Sequence, residues 1–242
     1  MDLALSTRPV ALGGIQNFAW VEPGVLARGE QPRLDEDVSF HALYAEGIRT
    51  VLSLRPDDEP PPDPAGKRVW PEYHVEDERR LCERIGLQFR HAALQDFSAP
   101  HPEELARALT VLDEAVAAAP AVFVHCRAGA GRTALVTGAW TIAHGRSGDE
   151  VAAAYQHFMD YNAQRYGLGP AELAVIRRRV GQPYVWWALH RVAEALGSPI
   201  TGTFDLLPPA QPPDADGWPA GYWEALSPWR ERRAGSRIPK GR

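Results

Sequence analysis

Short apolar runs alternate with amphipathic segments along most of the chain. Phe18–Val21 and Val25–Arg28 flank the turn sequence Glu22-Pro23-Gly24 and predict a β-hairpin. Helical spacing of apolar positions follows from Glu36 to Ala45. Gly47 stops that helix, and Arg49–Leu54, β-branched and aliphatic, predicts a strand. Trp70–Ile85 predicts a helix with a charged face, Leu87–Ala92 a strand, Pro102–Ala118 an amphipathic helix, and Ala121–His125 a strand too short to be a helix. Arg132–His144 is apolar nearly all round, as a buried helix requires. Further helices are predicted over Asp149–Gln164, from Pro170 to near Gly181, and over Tyr184–Leu196 after Pro183. Strands alternating with helices predict an α/β fold with a mainly parallel central sheet flanked by helices.

Two segments break the periodicity. Arg55–Gly66 holds five prolines and four carboxylates, which excludes regular structure and predicts a surface loop. It leaves the carboxyl end of a predicted strand, where open α/β sheets bind ligands, so it either rims a site there or is a solvated acidic loop without a role. From Gly197 onward Pro, Gly and Trp dominate, with Trp218, Trp223 and Trp229 spaced through irregular sequence. This divides the chain into a domain over residues 1–196 and, over 197–242, an irregular Trp/Pro-rich extension packed across the domain by its tryptophans. Arg230–Arg242 carries six basic residues and one acidic residue and reads as a solvated tail.

The candidate chemistry sits where the last predicted strand meets the buried helix. There the sequence runs His125-Cys126-Arg127-Ala128-Gly129-Ala130-Gly131-Arg132-Thr133. A glycine-containing turn between strand and helix wraps backbone N–H groups around an anion. A thiol held in it, at the positive end of a helix and beside a fixed guanidinium, is favoured as a thiolate. The Cys-(x)5-Arg spacing alone is weak. Histidine before the cysteine, glycine three residues after it and threonine after the arginine make it specific. A buried structural cysteine at a strand end, the alternative, leaves the glycines and Arg132 unexplained.

Bulk properties narrow the partners. The formal net charge of −5 over 242 residues gives no global reason to expect nucleic acid. The two cysteines, Cys82 and Cys126, are too few for a disulfide framework. No segment has the form of a signal peptide, and no apolar run is long enough for a membrane span. A cytoplasmic location without stable membrane insertion is the expectation, and the oligomeric state is not legible. Cys82 is expected to serve packing, with a resolving role toward Cys126 as the alternative.

At His125–Thr133 the chain resembles the cysteine-dependent phosphatases, the dual-specificity and protein-tyrosine phosphatase superfamily, in its small microbial form. Phe18 through Gly24, Arg28, Gln31-Pro32 and Gly47 to Leu54 also look like the start of that fold, so the resemblance extends from about Asn17 to about Val180. It implies a protein-tyrosine-phosphatase-like fold and metal-independent hydrolysis of phosphomonoesters through a phosphocysteine intermediate. Cys126 is then the nucleophile, and Arg132, with the backbone of Arg127, Ala128, Gly129, Ala130 and Gly131, holds the phosphate. The family's acid occupies a loop at the position and distance of Asp96, thirty residues before Cys126, with His101, Asp57 and Asp58 as rivals. Thr133 would offer its hydroxyl to the departing sulfur, and His125 would support the loop by a hydrogen bond. No cofactor and no metal is expected. The substrate is expected to be a phosphoprotein or small phosphorylated metabolite. Arg127 either points to a polyanion, such as an inositol phosphate or phosphoinositide, or is spent in an ion pair or in solvent. A phosphate-binding pseudoenzyme and a persulfide-carrying sulfur transferase are the remaining alternatives.

Overall fold

The computed structural model describes residues 10–57, 59, 73–96, 98–165, 167, 169, 182–202, 222–233 and 235. Six strands form one sheet: β1 (Val10–Leu12), β2 (Ile15–Glu22), β3 (Leu26–Glu30), β4 (Thr50–Ser53), β5 (Gln88–His91) and β6 (Val122–Cys126), in the order β1-β2-β3-β6-β4-β5. The expected hairpin is β2–β3, which is antiparallel, as is β1–β2. The pairs β3–β6, β6–β4 and β4–β5 are parallel, so the sheet is mainly parallel, as its helix-separated strands predict. β1 was not anticipated. Its Val10 is exposed, and three residues before Gly13-Gly14 carry too little pattern to announce a strand.

The helices are α1 (Val38–Ala45), α2 (Val75–Ile85), α3 (Pro102–Ala118), α4 (Arg132–Ala143), α5 (Gly148–Arg165), α6 (Gln182–Ala195) and α7 (Ser227–Arg233), the last preceded by a 3₁₀ turn at Glu224–Leu226. α3 starts at Pro102, whose fixed φ suits a first helical position. α2 begins at Val75, and its acidic first turn, Arg84 in its last turn and Gly86 at φ +87° suit the helix dipole and a left-handed stop. Trp70, expected in that helix, and the helix expected from Pro170 to Gly181 lie outside the described residues, as does Trp218.

Side chains of a strand alternate between faces, and β6 uses this fully. Val122, Val124 and Cys126 enter one core with α3, α4, α5 and α6, while Ala121 and Phe123 enter a second core with α1 and α2. Cys126 and its neighbour His125 therefore face opposite layers. Every residue of α4 from Arg132 to Ala143 is buried, which explains its unbroken apolar pattern.

Residues 222–233 dock on the helical layer. Leu226 and Trp229 are buried in the α4 core. Arg232 pairs with Asp113 at 2.6 Å and Arg233 donates to the carbonyls of Ile142 and Arg146. These two arginines of the expected solvated tail are thus engaged, because Asp113 and the open carbonyls at the end of α4 offer them acceptors. Among the described residues no helix is long and apolar enough to cross a membrane.

Candidate active site

The chain between β6 and α4 is built to hold a narrow turn against the end of β3. Gly129 has φ +70°, and a Cβ there would lie 2.3 Å from the backbone of Gly29, so only glycine fits. The turn is tied from outside by two hydrogen bonds: Gln31 N donates to Arg127 O at 3.2 Å, and Asn17 Nδ2 donates to Ala128 O at 3.1 Å. Gly131 precedes α4, whose first amides have no partners inside the helix and face the turn. Cys126, at the start of the turn, is 3% exposed.

Three guanidiniums and two carboxylates converge beside it. Arg132 donates from Nη1 to Leu94 O at 3.2 Å, which fixes the plane of its fork. Its Nη2 lies 2.8 Å from Glu59 Oε1 and 3.1 Å from Asp96 Oδ2, and its Nε has no hydrogen-bond acceptor among the described residues. Arg127 reaches the same carboxylates, 3.3 Å to Glu59 and 3.6 Å to Asp96. Arg55, 1% exposed, donates from Nε to Glu59 Oε2 and from Nη1 to Gln31 Oε1, and lies 4.1 Å over the ring of Tyr73. Burial lowers the pKa of Arg55 and the charge of Arg127 adds to that, while Glu59 opposes it. Burial also pulls Arg132 down, but the Cys126 sulfur, Asp96 and Glu59 outweigh it, so the net shift is upward and the side chain is firmly cationic.

Side chains from β4, β6, α2 and the residues just before α2 supply the back of the site. His125 and Glu78 are both fully buried, with Nε2 2.8 Å from Oε1. His125 Nδ1 lies 3.2 Å from Cys126 O. Glu78 Oε2 accepts from the Tyr73 hydroxyl at 2.7 Å, so Ser53 Oγ, 2.6 Å from that hydroxyl, acts as donor to it. Burial, then the Glu78 charge, pushes the Tyr73 hydroxyl far up, so it stays protonated as a donor. From β3, Arg28 approaches the cysteine through the core. Its guanidinium lies 3.8 Å over Phe158, and burial lowers its pKa to about 10 against the opposing pull of Tyr155 and Cys126.

The structure brings Cys126, Arg127, Arg132 and Asp96 together and sorts the rivals of Asp96. Asp57 accepts from Val75 N at 2.9 Å and so caps α2. His101 precedes α3, donating from its backbone N to Glu104 and meeting Tyr222 through its ring. Asp58 lies outside the described residues. Thr133 is fully buried, and its hydroxyl has no hydrogen-bond partner among the described residues. Cys82 is buried in the α1–α2 core, across the sheet from the Cys126 core, and desolvation raises its thiol pKa well above the ordinary value. Arg127 forms an ion pair, as one reading had it, but does so inside the site.

Glu59, Arg55, Glu78 and Tyr73 were not singled out from sequence. Glu78 did leave a signal. It shares a buried helix face with Leu81 and Cys82, and a carboxylate on an apolar stripe implies a buried partner. Glu59 left only its place in a loop that leaves a strand end.

A family model described as a polymorphic toxin system, DSP-PTPase phosphatase, matches residues 30–146. That span runs from the end of β3 to just past α4 and contains Arg55, Glu59, Asp96 and the whole turn. Among solved structures, TpbA of P. aeruginosa is similar at 20% identity, covering 79% of this chain and 100% of that one, with a TM-score of 0.48. The core catalytic domain of the PP-IP phosphatase SIW14 from S. cerevisiae is similar at 19% identity, covering 71% of this chain and 94% of that one, with a TM-score of 0.43. The matched residues 30–146 hold the turn and both facing carboxylates, so this segment is similar to a DSP-PTPase phosphatase domain.

Proposed function

We propose that the chain hydrolyses phosphomonoesters through a phosphocysteine at Cys126, as a dual-specificity phosphatase acting on phosphotyrosine or phosphoserine/threonine. One observation carries this reading: Asp96 Oδ2 lies 3.1 Å from Arg132 Nη2, although thirty-six residues separate them in sequence. A proton donor and a phosphate-gripping fork thus meet at the turn that begins with a buried cysteine.

The sulfur of Cys126 attacks phosphorus, and Asp96 gives its proton to the departing alkoxide or phenoxide oxygen. Arg132 and the amides of residues 127–131 bind the equatorial oxygens as charge shifts among them. In the second step Asp96, now a carboxylate, takes a proton from the attacking water, and the sulfur leaves as thiolate toward the Thr133 hydroxyl. Neither a pseudoenzyme nor a sulfur transferase calls for Asp96 at this place. A reducing cytoplasm suits a free thiol in this role.

Inositol phosphates or phosphoinositides are the second reading. It is favoured by Arg127 and Arg55, which add positive charge beside Arg132. The test is hydrolysis of a chromogenic aryl phosphate in the presence of a chelator. Turnover that persists there and is blocked by vanadate supports the proposal, and turnover that needs added metal rejects it.

A further inference from the structure

We infer that Arg55 and Arg127 form a second anion subsite beside the phosphate cradle, that the Glu59 carboxylate fills it when no substrate is bound, and that it receives a second phosphoryl group of the substrate. The inference rests on the cradle of Cys126 and Arg132 being the site of phosphate binding. Glu59 is 5% exposed and spans three guanidiniums, with Oε1 on Arg132 and Oε2 on both Arg55 and Arg127. A carboxylate held this way is a stand-in for two oxygens of a phosphoryl group, which arginine forks grip in the same geometry.

Arg55 is prepared to keep its place without Glu59. The Tyr73 ring supports its face, Gln31 accepts from Nη1, and Nη2 is buried with no hydrogen-bond partner among the described residues. Charge counting points the same way. With Cys126 as thiolate and Asp96 carrying the proton it gives as acid, three cations (Arg55, Arg127, Arg132) face two anions, Glu59 and the sulfur. A dianionic phosphate entering the cradle adds like charge near Glu59, which favours rotation of that side chain out of the cluster. Arg55 then keeps Gln31 and Tyr73 and Arg127 keeps Asp96, but the positive charge that Glu59 no longer offsets favours a second anionic group on the substrate. Two phosphoryl groups on neighbouring atoms, or joined as a diphosphate, meet that need.

The experiment titrates the full-length Cys126→Ser protein calorimetrically with orthophosphate and with inorganic pyrophosphate, which requires no turnover. Pyrophosphate should bind at least about tenfold more tightly, and Glu59→Gln in the same background should tighten it further by removing the internal competitor. Arg55→Gln should shrink the preference to within about threefold, a readout taken as the ratio of the two affinities. Equal affinities for the two anions, or weaker pyrophosphate binding by the Glu59→Gln protein, would overturn the inference even if the phosphatase reading stands. Failure of aryl phosphate turnover with the pyrophosphate preference intact would instead reject catalysis and keep the subsite. With active enzyme, a soluble inositol bisphosphate with neighbouring phosphates and the same head group on lipid vesicles separate the two sources of such a ligand. Faster turnover of either than of its monophosphate supports the subsite, and of neither contradicts it.

Discussion

The two cysteines are both buried, Cys126 at 3% and Cys82 at 0% exposure, yet they sit in opposite chemistry. Cys82 lies on α2 among apolar side chains, and desolvation first, then the charges of Glu78 and Glu83, holds its thiol protonated. Cys126 ends a strand in a turn of backbone amides, with the guanidiniums of Arg132 and Arg28 near it. Burial alone makes a thiol inert, whereas burial among donors and cations makes a nucleophile. Glu78 touches both environments: it faces His125 behind the turn and lies one helical turn from Cys82.

The largest effect that separates the two is Cys126→Ser against Cys82→Ser. The first should lower kcat for an aryl phosphate by at least about 10⁴-fold, because the nucleophile is lost while the cradle remains. The second should leave kcat of the folded protein within about twofold and cost about 1–3 kcal/mol of stability by burying a hydroxyl without a partner. Comparable kcat losses in both would erase the distinction.

Next in size is Asp96→Asn. General acid catalysis contributes roughly 10²–10⁴-fold, so kcat for an alkyl phosphate should fall by about that much. An activated aryl phosphate, whose leaving group needs less protonation, should lose far less. Steady-state kinetics on the two substrates reads the difference, and equal losses remove Asp96 from the acid role.

Glu78→Gln probes the bridge between the two regions. Leaving buried His125 without its carboxylate should cost about 1–3 kcal/mol and loosen the turn. A lower Tm together with a reduced kcat is expected, and Tyr73→Phe should have a smaller effect on both. A Tm and kcat unchanged by Glu78→Gln would mean that the His125 contact supports nothing.

The last difference is a pH dependence of stability carried by Cys82, absent near neutral pH. Its folded pKa is raised above the ordinary value of 9.0, so its stabilising share is full below that pH and is lost as pH rises above it, when the unfolded chain ionises and the folded one does not. One such group gives a slope of about 1.4 kcal/mol per pH unit. Tm should therefore fall less steeply between pH 9 and pH 11 in Cys82→Ala than in the parent, and parallel curves would count against a suppressed Cys82 ionisation.

What the sequence carried and what it did not follows the range of the contacts. The turn after β6 is local: strand, glycines, Arg132 and buried helix are contiguous, so residue order determines the arrangement and pattern reveals it. Asp96 was legible through the family resemblance, which expects the acid in the loop after that strand, thirty residues before Cys126. Glu59 was not. It lies in a proline-rich acidic segment whose composition suggests solvation, and its burial is enforced by Arg55 and by Arg127 and Arg132 of the distant turn. Arg55 and Tyr73 were hidden similarly, because ring and guanidinium meet across residues with no periodic relation. The docking of Arg232 and Arg233 depended on Asp113 and the end of α4, which a run of basic residues does not announce.

The central claim is that phosphorus passes covalently through the sulfur at the head of this turn. Acid-quenching the enzyme within a single turnover and mapping phosphoryl adducts by peptide mass spectrometry tests it directly. The account predicts a phosphoryl group on the peptide containing Cys126, none on the peptide containing Cys82, and a decay matching phosphate release. Full turnover with no adduct on Cys126 at any quench time would contradict it.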